Sequence, residues 1–505
     1  MRLETSIKNT ISSIVMQFMA MVIGLILPRL YLIAFGSEVN GLVSSITQFI
    51  LYFTLVEAGL ASAATNALYL PLAAKDENRI NRILVAAKEF YFKIGYIFSG
   101  LVIGLALLYP FFVSTESLSA LNISLLVLIL GFQGAFDFFT LSKYRALLTA
   151  DQKYYVIANA TTVANLLNFF LVFVSIKLSF GIVVVRAIAV TTYILRSLIL
   201  NFYVRKHYKY IDYSLKPDNG SLNKRWDAMI LQLLGLAQTA MPIVMLTIFT
   251  RDLKVVSIYS IYNMVATSVL AILIAITNGF AASFGEIIAK KEEETLKIAY
   301  RKYEFMFYFI MSWAYSCMNI LYISFVRLYT VNVTDANYIL PLVAFLFVVN
   351  GLAYNFKTPA GTLIGSAGLY KETKPATIIQ TMIAVSLSII LIPSLGIIGV
   401  LIAQIASNLY RDIDLIIFMS KFMHKVPYME SFGRIIRCVI IFLITNVPFV
   451  IYQIKPHNLV IWAIWTIGVA VWSFLVAAII NFIFDKELFK IISINLAGVI
   501  TKSRS

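Results

Sequence analysis

Charged residues are scarce in this chain. They make up 13% of its 505 residues, whereas soluble proteins average about 25%, and hydrophobic residues make up 60%. The two cysteines and three histidines show no spacing typical of a metal site or a disulfide framework. We find no nucleophile elbow, phosphate-binding loop or dinucleotide fingerprint. These absences argue against a soluble enzyme, and we expect neither a cofactor nor a metal.

Long apolar runs take the place of these motifs. A helix needs about 20 apolar residues to cross the hydrocarbon core of a membrane, and fourteen segments approach that length. The sequence therefore predicts an all-α polytopic membrane protein with about 14 transmembrane helices. The predicted spans are 9–35, 42–70, 90–113, 119–141, 156–177, 181–203, 227–249, 256–285, 303–329, 338–356, 375–393, 396–418, 435–453 and 459–484.

The positive charges predict the orientation of these spans. With a cytoplasmic N-terminus, the cytoplasmic segments hold 33 of the 41 lysines and arginines when both tails and the helix ends beside these segments are included, and 6 fall outside and 2 within a span. Basic residues accumulate on the cytoplasmic side of membrane proteins, so we expect both termini in the cytoplasm. The net charge of +16 then reflects topology and contact with anionic lipid, not nucleic-acid binding.

The two halves of the chain show weak internal similarity. A shift of 215 places Gly181 on Gly396 and Arg196 on Arg411, and shifts of 214 and 216 align other segments. This predicts two parallel six-helix lobes followed by two additional helices. The predicted divisions are 1–205, a cytoplasmic linker at 206–226, 227–425, and 426–505 with the last two helices.

The segment from Leu51 to Tyr91 combines two unusual features. Glu57 lies inside an apolar run, where a carboxylate is costly and calls for a function or a partner. The residues after Lys75 are basic and have helical apolar spacing, which predicts an amphipathic helix on the membrane surface. This combination is more typical of a transporter than of an enzyme.

Several of these stretches carry a family resemblance: FGSEVNGLVSSITQF (35–49), FTLVEAGL (53–60), ALYLPLAAKDENRIN (67–81) and GSAGLYKETKP (365–375). With them, and with its 6 + 6 + 2 arrangement of spans, the chain resembles the MOP exporter superfamily. Within that superfamily it looks like a Wzx-type polysaccharide repeat-unit flippase. The resemblance implies a MATE-like fold with two lobes and a bacterial cell membrane location.

The resemblance also implies a substrate, an undecaprenyl-diphosphate-linked oligosaccharide moved from the cytoplasmic to the external leaflet by alternating access. Membrane lipids and a polysaccharide polymerase are the other expected partners. A MATE-like cation-coupled multidrug exporter and a lipid II flippase remain alternatives. A membrane-bound polymerase or ligase is disfavoured because all predicted external loops are short.

Three intramembrane charges lie at one predicted depth. Glu57, Arg196 and Arg411 each fall fifteen residues, or about 22 Å, from the external end of their span. We expect Glu57 to couple transport to protonation and to pair with one of these arginines. The alternatives are that the pair merely locks helices together or that the arginines extend to the inner surface.

The remaining candidates for substrate binding are basic residues near the span ends. Arginine suits a diphosphate headgroup because its planar fork can donate two hydrogen bonds. The predicted external lining is Arg29, Arg186, Arg251 and Arg327, and the predicted cytoplasmic receiving cluster is Asp137, Lys143, Arg145 and Lys357. For each of these groups, ordinary placement of charge at a membrane surface is the competing interpretation.

Overall fold

The structure is a computed structural model that describes residues 2–57, 59–218, 220, 240–423 and 427–490. Those ranges are helical almost throughout and contain no β-strand.

The helices fall into two units. Contacts divide the chain into a first unit, Met1–Ser257, and a second unit, Ile258–Ser505. The first unit contains α1 (Arg2–Phe53), a 3-10 turn (Thr54–Glu57), α2 (Leu60–Ala74), α3 (Glu77–Phe112), α4 (Ala120–Thr140), α5 (Ser142–Ala150), α6 (Tyr154–Lys177), α7 (Ile182–His207), α8 (Met241–Thr250) and the start of α9 (Leu253–Ala289). The second unit continues α9 and adds α10 (Glu293–Tyr329), α11 (Pro341–Phe356), α12 (Thr358–Ser366), α13 (Tyr370–Leu395), α14 (Ile397–Phe422), α15 (Tyr428–Ile451) and α16 (Leu459–Phe484).

The surfaces of these helices are suited to lipid. Large apolar side chains are widely exposed, among them Leu70 (75%), Phe111 (84%) and Ile451 (88%), and a soluble protein rarely exposes such extended apolar surface. Ten helices among the described residues are long and apolar enough to cross a membrane. The chain is a multi-pass membrane protein. The count of fourteen spans stays a prediction with which these helices are compatible, and most of the predicted span 227–249 lies outside the described residues.

The first helix breaks at a glycine and then continues. Gly36 has φ of 79° within α1, a left-handed conformation that glycine adopts without the steric cost of a Cβ. The residues between the first two predicted spans, 36–41, therefore do not form a loop, because the chain after Gly36 is helical up to Phe53. A left-handed glycine changes the direction of a helix without a loop.

The predicted surface helix after Lys75 is also different in the structure. It forms the start of α3, one continuous helix whose first turn is capped by the Asp76 side chain, which accepts a hydrogen bond from the backbone N–H of Arg79. Its apolar face is buried within the protein, since Ile80 and Ile83 are at most 2% exposed. The amphipathic pattern marks packing against protein and not contact with the membrane.

The start of the predicted linker 206–226 packs on this helix. Asn81 donates from Nδ2 to the carbonyl of Tyr210 (2.8 Å), and the backbone N–H of Asp218 donates to the carbonyl of Arg82 (3.1 Å). The next residues, 221–239, lie outside the described part of the chain. The predicted division at this linker therefore stays a prediction, while contacts group 240–257 with the first unit.

The helices of the two units recur at a nearly constant interval. α5 and α12 both contain nine residues and begin at 142 and 358, which are 216 positions apart. α6 and α13 begin at 154 and 370, and α7 and α14 begin at 182 and 397. Even the short break between α4 and α5 has its counterpart between α11 and α12. This repetition agrees with the internal similarity at shifts of 214 to 216.

The last two helices pack on α10 of the second unit. Trp313 on α10 donates to the carbonyl of Ala470 on α16 (2.9 Å). Glu304, which is fully buried, accepts hydrogen bonds from Ser431 (2.5 Å) and from Arg434 on α15. A buried carboxylate needs such partners, so these contacts fix α15 and α16 against α10.

Candidate functional site

Glu57 lies at a break in a membrane-embedded segment. α1 ends at Phe53, the 3-10 turn ends at Glu57, and α2 begins after Gly59, whose φ is 83°. Breaks of this kind place polar groups inside a membrane only where they are buried in protein or line a cavity. The predicted continuous span 42–70 is therefore wrong at this point, and Glu57 sits at the interruption.

Arg145 faces Glu57 from the short helix α5. Its Nη2 lies 3.7 Å from Oε1 of Glu57 and donates a hydrogen bond to Oγ of Ser142 (3.0 Å). The Glu57 side chain is 20% exposed and that of Arg145 is 38% exposed. The pair is therefore partly accessible, and a ligand can compete for either charge.

The Glu57–Arg145 pair lines a cavity of about 540 Å³. Most other groups in its wall carry hydroxyl or amide functions, and they are Thr65, Asn66, Tyr91, Ser142 and Thr149. Hydroxyl and amide side chains both donate and accept hydrogen bonds, as sugar hydroxyls require. An arginine surrounded by such groups is suited to a phosphorylated, polyhydroxylated ligand.

A second cavity of about 290 Å³ lies beside the first. Arg196 lines it, and Nη2 of Arg196 lies 2.6 Å from both carboxylate oxygens of Asp137. Arg145 and Thr149, one turn apart on α5, line both cavities. α5 therefore forms a shared wall, with a carboxylate–arginine pair on each side of it.

The approach to α5 carries further positive charge. Nζ of Lys143 lies 4.8 Å from the ring centroid of Tyr213, and Nζ of Lys88 lies 5.0 Å from the same ring. Burial, and then the charges of Lys88 and Arg205, lower the pKa of Lys143 to about 8. These cations favour an anion at this end of the first unit.

The second unit lacks the Glu57–Arg145 pair at the repeated positions. At the interval of 216, Glu57 corresponds to Leu273 and Arg145 corresponds to Gly361. Leu273 lies within α9, which continues from Leu253 to Ala289 without a break. The pair therefore occurs in the first unit and not at the equivalent positions of the second. Residues that only maintain the fold common to both units would be expected at both positions, so this difference favours a functional role.

The predicted partners of Glu57 are occupied elsewhere. The sequence predicts Arg196 or Arg411 as the partner, but Arg196 binds Asp137 and Arg411 pairs with Asp414 on its own helix. Counted from the external ends of their spans, Asp137 lies only about 4.5 Å deeper than Arg196. The same depth argument that linked Glu57 to Arg196 would have found this pair.

The residues predicted to form an external lining are not among those that line the two cavities around α5. The guanidinium carbon of Arg186 lies 3.9 Å from the ring centroid of Tyr31, which links α7 to α1. Arg29 is half-buried on α1, and Arg251 is exposed at the end of α8. Arg327 lines a cavity in the second unit. Their role in substrate binding stays a prediction.

Lys357 belongs to a polar network in the second unit. Its Nζ donates to Oδ1 of Asn408 (2.6 Å), which also accepts from Gln380 (3.0 Å), and Asn408 donates in turn to Asn350 (3.1 Å). Arg411 lies one turn beyond Asn408 on α14. This network joins several helices, so Lys357 is held by amides and does not stand at an open surface.

Within the described ranges, no three His, Cys, Asp or Glu side chains come together as a group that could hold a metal ion. The two cysteines are unpaired, with Cys438 buried and Cys317 partly buried. The chemistry of the described cavities therefore comes from their arginines, carboxylates, hydroxyls and amides.

Comparison with solved structures identifies the fold. An inward-facing multidrug resistance MATE family transporter of the MOP superfamily aligns with a TM-score of 0.64 and 16% identity, over 82% of this chain and 98% of that one. An outward-facing MATE transporter of the same superfamily aligns with a TM-score of 0.57 and 15% identity, over 83% and 95%. A MOP superfamily transporter from Pyrococcus furiosus, whose binding pocket is described as having reverse polarity suggesting a different function, aligns with a TM-score of 0.58 and 15% identity, over 83% and 95%. No protein-family model and no curated protein matches the sequence. The chain has the fold of MATE transporters of the MOP superfamily.

Proposed function

We propose that this protein is a flippase for lipid-linked oligosaccharides, carrying undecaprenyl-diphosphate-linked repeat units from the cytoplasmic to the external leaflet. The observation that carries the proposal is the pair of cavities around α5, which combine two arginines with several hydroxyl groups and one amide. The arginines suit the diphosphate, and the hydroxyl and amide groups suit the sugars. The fold supports transport as the activity, because the similar structures are transporters.

The transport cycle proposed is alternating access. Similar structures exist in inward-facing and outward-facing conformations, which supports this type of cycle for the fold. The headgroup would occupy a polar cavity while the polyprenyl tail stays in the bilayer, since burying a diphosphate in hydrocarbon is prohibitively costly. The concentration of basic residues on one side of the predicted spans supports an orientation with both termini cytoplasmic, and the resemblance implies the bacterial cell membrane.

Glu57 provides the proposed coupling. While ionised it holds Arg145 in a salt bridge. Protonation neutralises the carboxylate and releases Arg145 to bind the diphosphate, so the protonation state of Glu57 sets the affinity of Arg145 for the substrate and makes transport depend on pH. The occurrence of this pair in only one of the two repeats supports a role in function.

A cation-coupled multidrug exporter is the second candidate, favoured by the nature of the similar structures. A cationic drug requires net negative charge, whereas the two carboxylate–arginine pairs beside α5 are balanced in charge, and Lys88 and Lys143 add positive charge at this end of the first unit. The polarity of these cavities therefore favours an anionic substrate. A lipid II flippase uses the same headgroup chemistry and is separated from the leading proposal by the sugar it carries.

The experiment is lipid extraction from a strain that lacks this gene, together with an assay of surface polysaccharide. We expect an undecaprenyl-diphosphate oligosaccharide to accumulate and the polymer to be lost, and the wild-type gene to reverse both. Normal lipid intermediates combined with new sensitivity to cationic dyes would contradict the flippase and support the drug exporter. Accumulation of lipid II would support the lipid II flippase.

A further inference from the structure

A separate cavity of about 240 Å³ lies in the second unit, among α10, α11 and the connection between α15 and α16. Two cations line it, Arg327 at the end of α10 and Lys455 in that connection. None of the described residues in its wall is acidic. Two positive charges that face one cavity without a carboxylate favour an anionic ligand.

Aromatic residues indicate the depth of this cavity in the membrane. Trp462 at the start of α16 donates from Nε1 to Oγ of Ser324, one of the cavity residues (3.1 Å). Tyr452, also in the cavity wall, lies 5.6 Å from Trp465, measured between ring centroids. Trp and Tyr concentrate at the level of lipid headgroups. The aromatic residues therefore indicate a membrane–water interface, and in the orientation predicted from the basic residues this interface is the external one.

The walls of the cavity are divided between polar and apolar groups. Asn319 on α10 donates to Asn446 on α15 (2.7 Å), so these amides are tied to each other. Ile320, Phe449 and Val450 provide apolar surface, and Val450 is 79% exposed. A ligand with a charged head and an apolar tail fits this arrangement, because the tail can follow the exposed apolar side into the bilayer.

We propose that this cavity binds the phosphate of an anionic phospholipid, of the phosphatidylglycerol type, in the external leaflet. Arg327 donates to the phosphate oxygens through its planar guanidinium, and Lys455 adds a second charge at the rim. The acyl chains lie along Phe449 and Val450. The site involves the two helices that follow the repeats, and it holds whether or not the proposed flippase function is correct.

The test is lipid binding by the purified full-length protein, followed by native mass spectrometry during titration with phosphatidylglycerol or phosphatidylcholine. We expect preferential binding of phosphatidylglycerol. A charge-assisted hydrogen bond contributes enough for its loss to weaken binding by about 10-fold or more, so the Arg327→Gln/Lys455→Gln variant should bind phosphatidylglycerol at least 10-fold more weakly. The Arg327→Lys/Lys455→Arg variant should keep most of the binding.

The matched control is Lys254→Gln, which removes an exposed cation assigned to the same membrane face but distant in sequence from the cavity. It should bind phosphatidylglycerol as the wild type does. Lys455 is also exposed, so Lys455→Gln alone should fold normally. This variant should show a smaller loss of phosphatidylglycerol binding, and it replaces the double variant if that one is unstable. Equal binding by the wild type and by the Arg327→Gln/Lys455→Gln and Lys455→Gln variants would overturn the proposal.

Competition separates the lipid from other phosphates. Inorganic phosphate should not displace phosphatidylglycerol at millimolar concentration, because it lacks the chains that contact the apolar wall. Displacement by inorganic phosphate would overturn the assignment to a lipid and leave a simple anion site. Displacement by farnesyl diphosphate at far lower concentration than phosphatidylglycerol itself would overturn the assignment to bulk phospholipid in favour of a polyprenyl diphosphate.

Discussion

Replacing Glu57 by glutamine removes the negative charge that faces Arg145 and leaves the shape of the side chain almost unchanged. At the observed separation of 3.7 Å, the Coulomb attraction is about 4.5 kcal/mol at an effective dielectric constant of about 20. The Arg145 side chain is 38% exposed, so solvent screening reduces the net value to about 1–2 kcal/mol. This energy corresponds to a factor of about 5 to 30 in an equilibrium constant.

Glu57→Gln should therefore raise the affinity for a polyprenyl diphosphate by about 5- to 30-fold, because Arg145 no longer has to leave its carboxylate partner. The same variant should transport at a rate that does not depend on pH, since the titrating carboxyl group is gone. Binding is measured by titration calorimetry on purified protein, and transport is measured in proteoliposomes at several pH values.

The control for this prediction is Glu38→Gln. Glu38 also lies on α1, but its carboxylate accepts hydrogen bonds from the backbone N–H of Glu116 (3.0 Å) and the hydroxyl of Ser117 (3.0 Å). The Glu38→Gln variant should change neither the affinity for the polyprenyl diphosphate nor the pH dependence of transport. The reasoning is refuted if Glu57→Gln leaves both properties unchanged, or if Glu38→Gln reproduces its effects.

Other predictions concern the remaining charges. Arg196→Gln leaves the Asp137 carboxylate without its cation and should destabilise the protein by more than the double variant Asp137→Asn/Arg196→Gln does. A double-mutant cycle measured by thermal unfolding should give a coupling energy of about 1–3 kcal/mol. Additive effects of the two substitutions would contradict a stabilising interaction between these side chains. Arg434→Met leaves Glu304 buried and unpaired, which should cost about 3–5 kcal/mol and lower the unfolding temperature strongly, and adding Glu304→Gln should recover much of the loss. The protonated Lys143 side chain is partly buried, so it lowers the free energy of unfolding. Because its pKa is lowered to about 8, this destabilisation is complete below pH 8 and disappears as the pH rises to about 10.5. Lys143→Met should therefore be more stable than wild type at pH 7 by about 1–2 kcal/mol after allowance for partial exposure, and a difference that persists above pH 10.5 would contradict this account.

The membrane class and the order of helices follow from the sequence, because both depend on local properties. A run of about 20 apolar residues must be shielded from water wherever it occurs, and the shifts near 215 reappear in the bounds of α5 and α12. The breaks were harder to predict. Gly36 and Gly59 both adopt positive φ, yet glycine also occurs inside membrane helices, so its presence alone does not identify a break.

The charge pairs depend on tertiary packing and were only partly predictable. Depth along a span indicates which charges share a level, and it places Asp137 near Arg196. It does not indicate that α5 forms a separate short helix and brings Arg145 to Glu57. The amphipathic start of α3 shows a related limit, because an apolar helical face packs equally well on lipid or on protein.

The most direct test of the proposed flippase is topological. Purified protein is reconstituted with a lipid-linked oligosaccharide in sealed proteoliposomes, and the labelled substrate that becomes accessible to an impermeant lectin is measured over time. We predict faster exposure with the wild type than in protein-free vesicles, and a loss of most of that gain with Arg145→Gln, whose folding is checked by thermal unfolding. Exposure at the protein-free rate, in preparations that transport a cationic dye, would contradict the account.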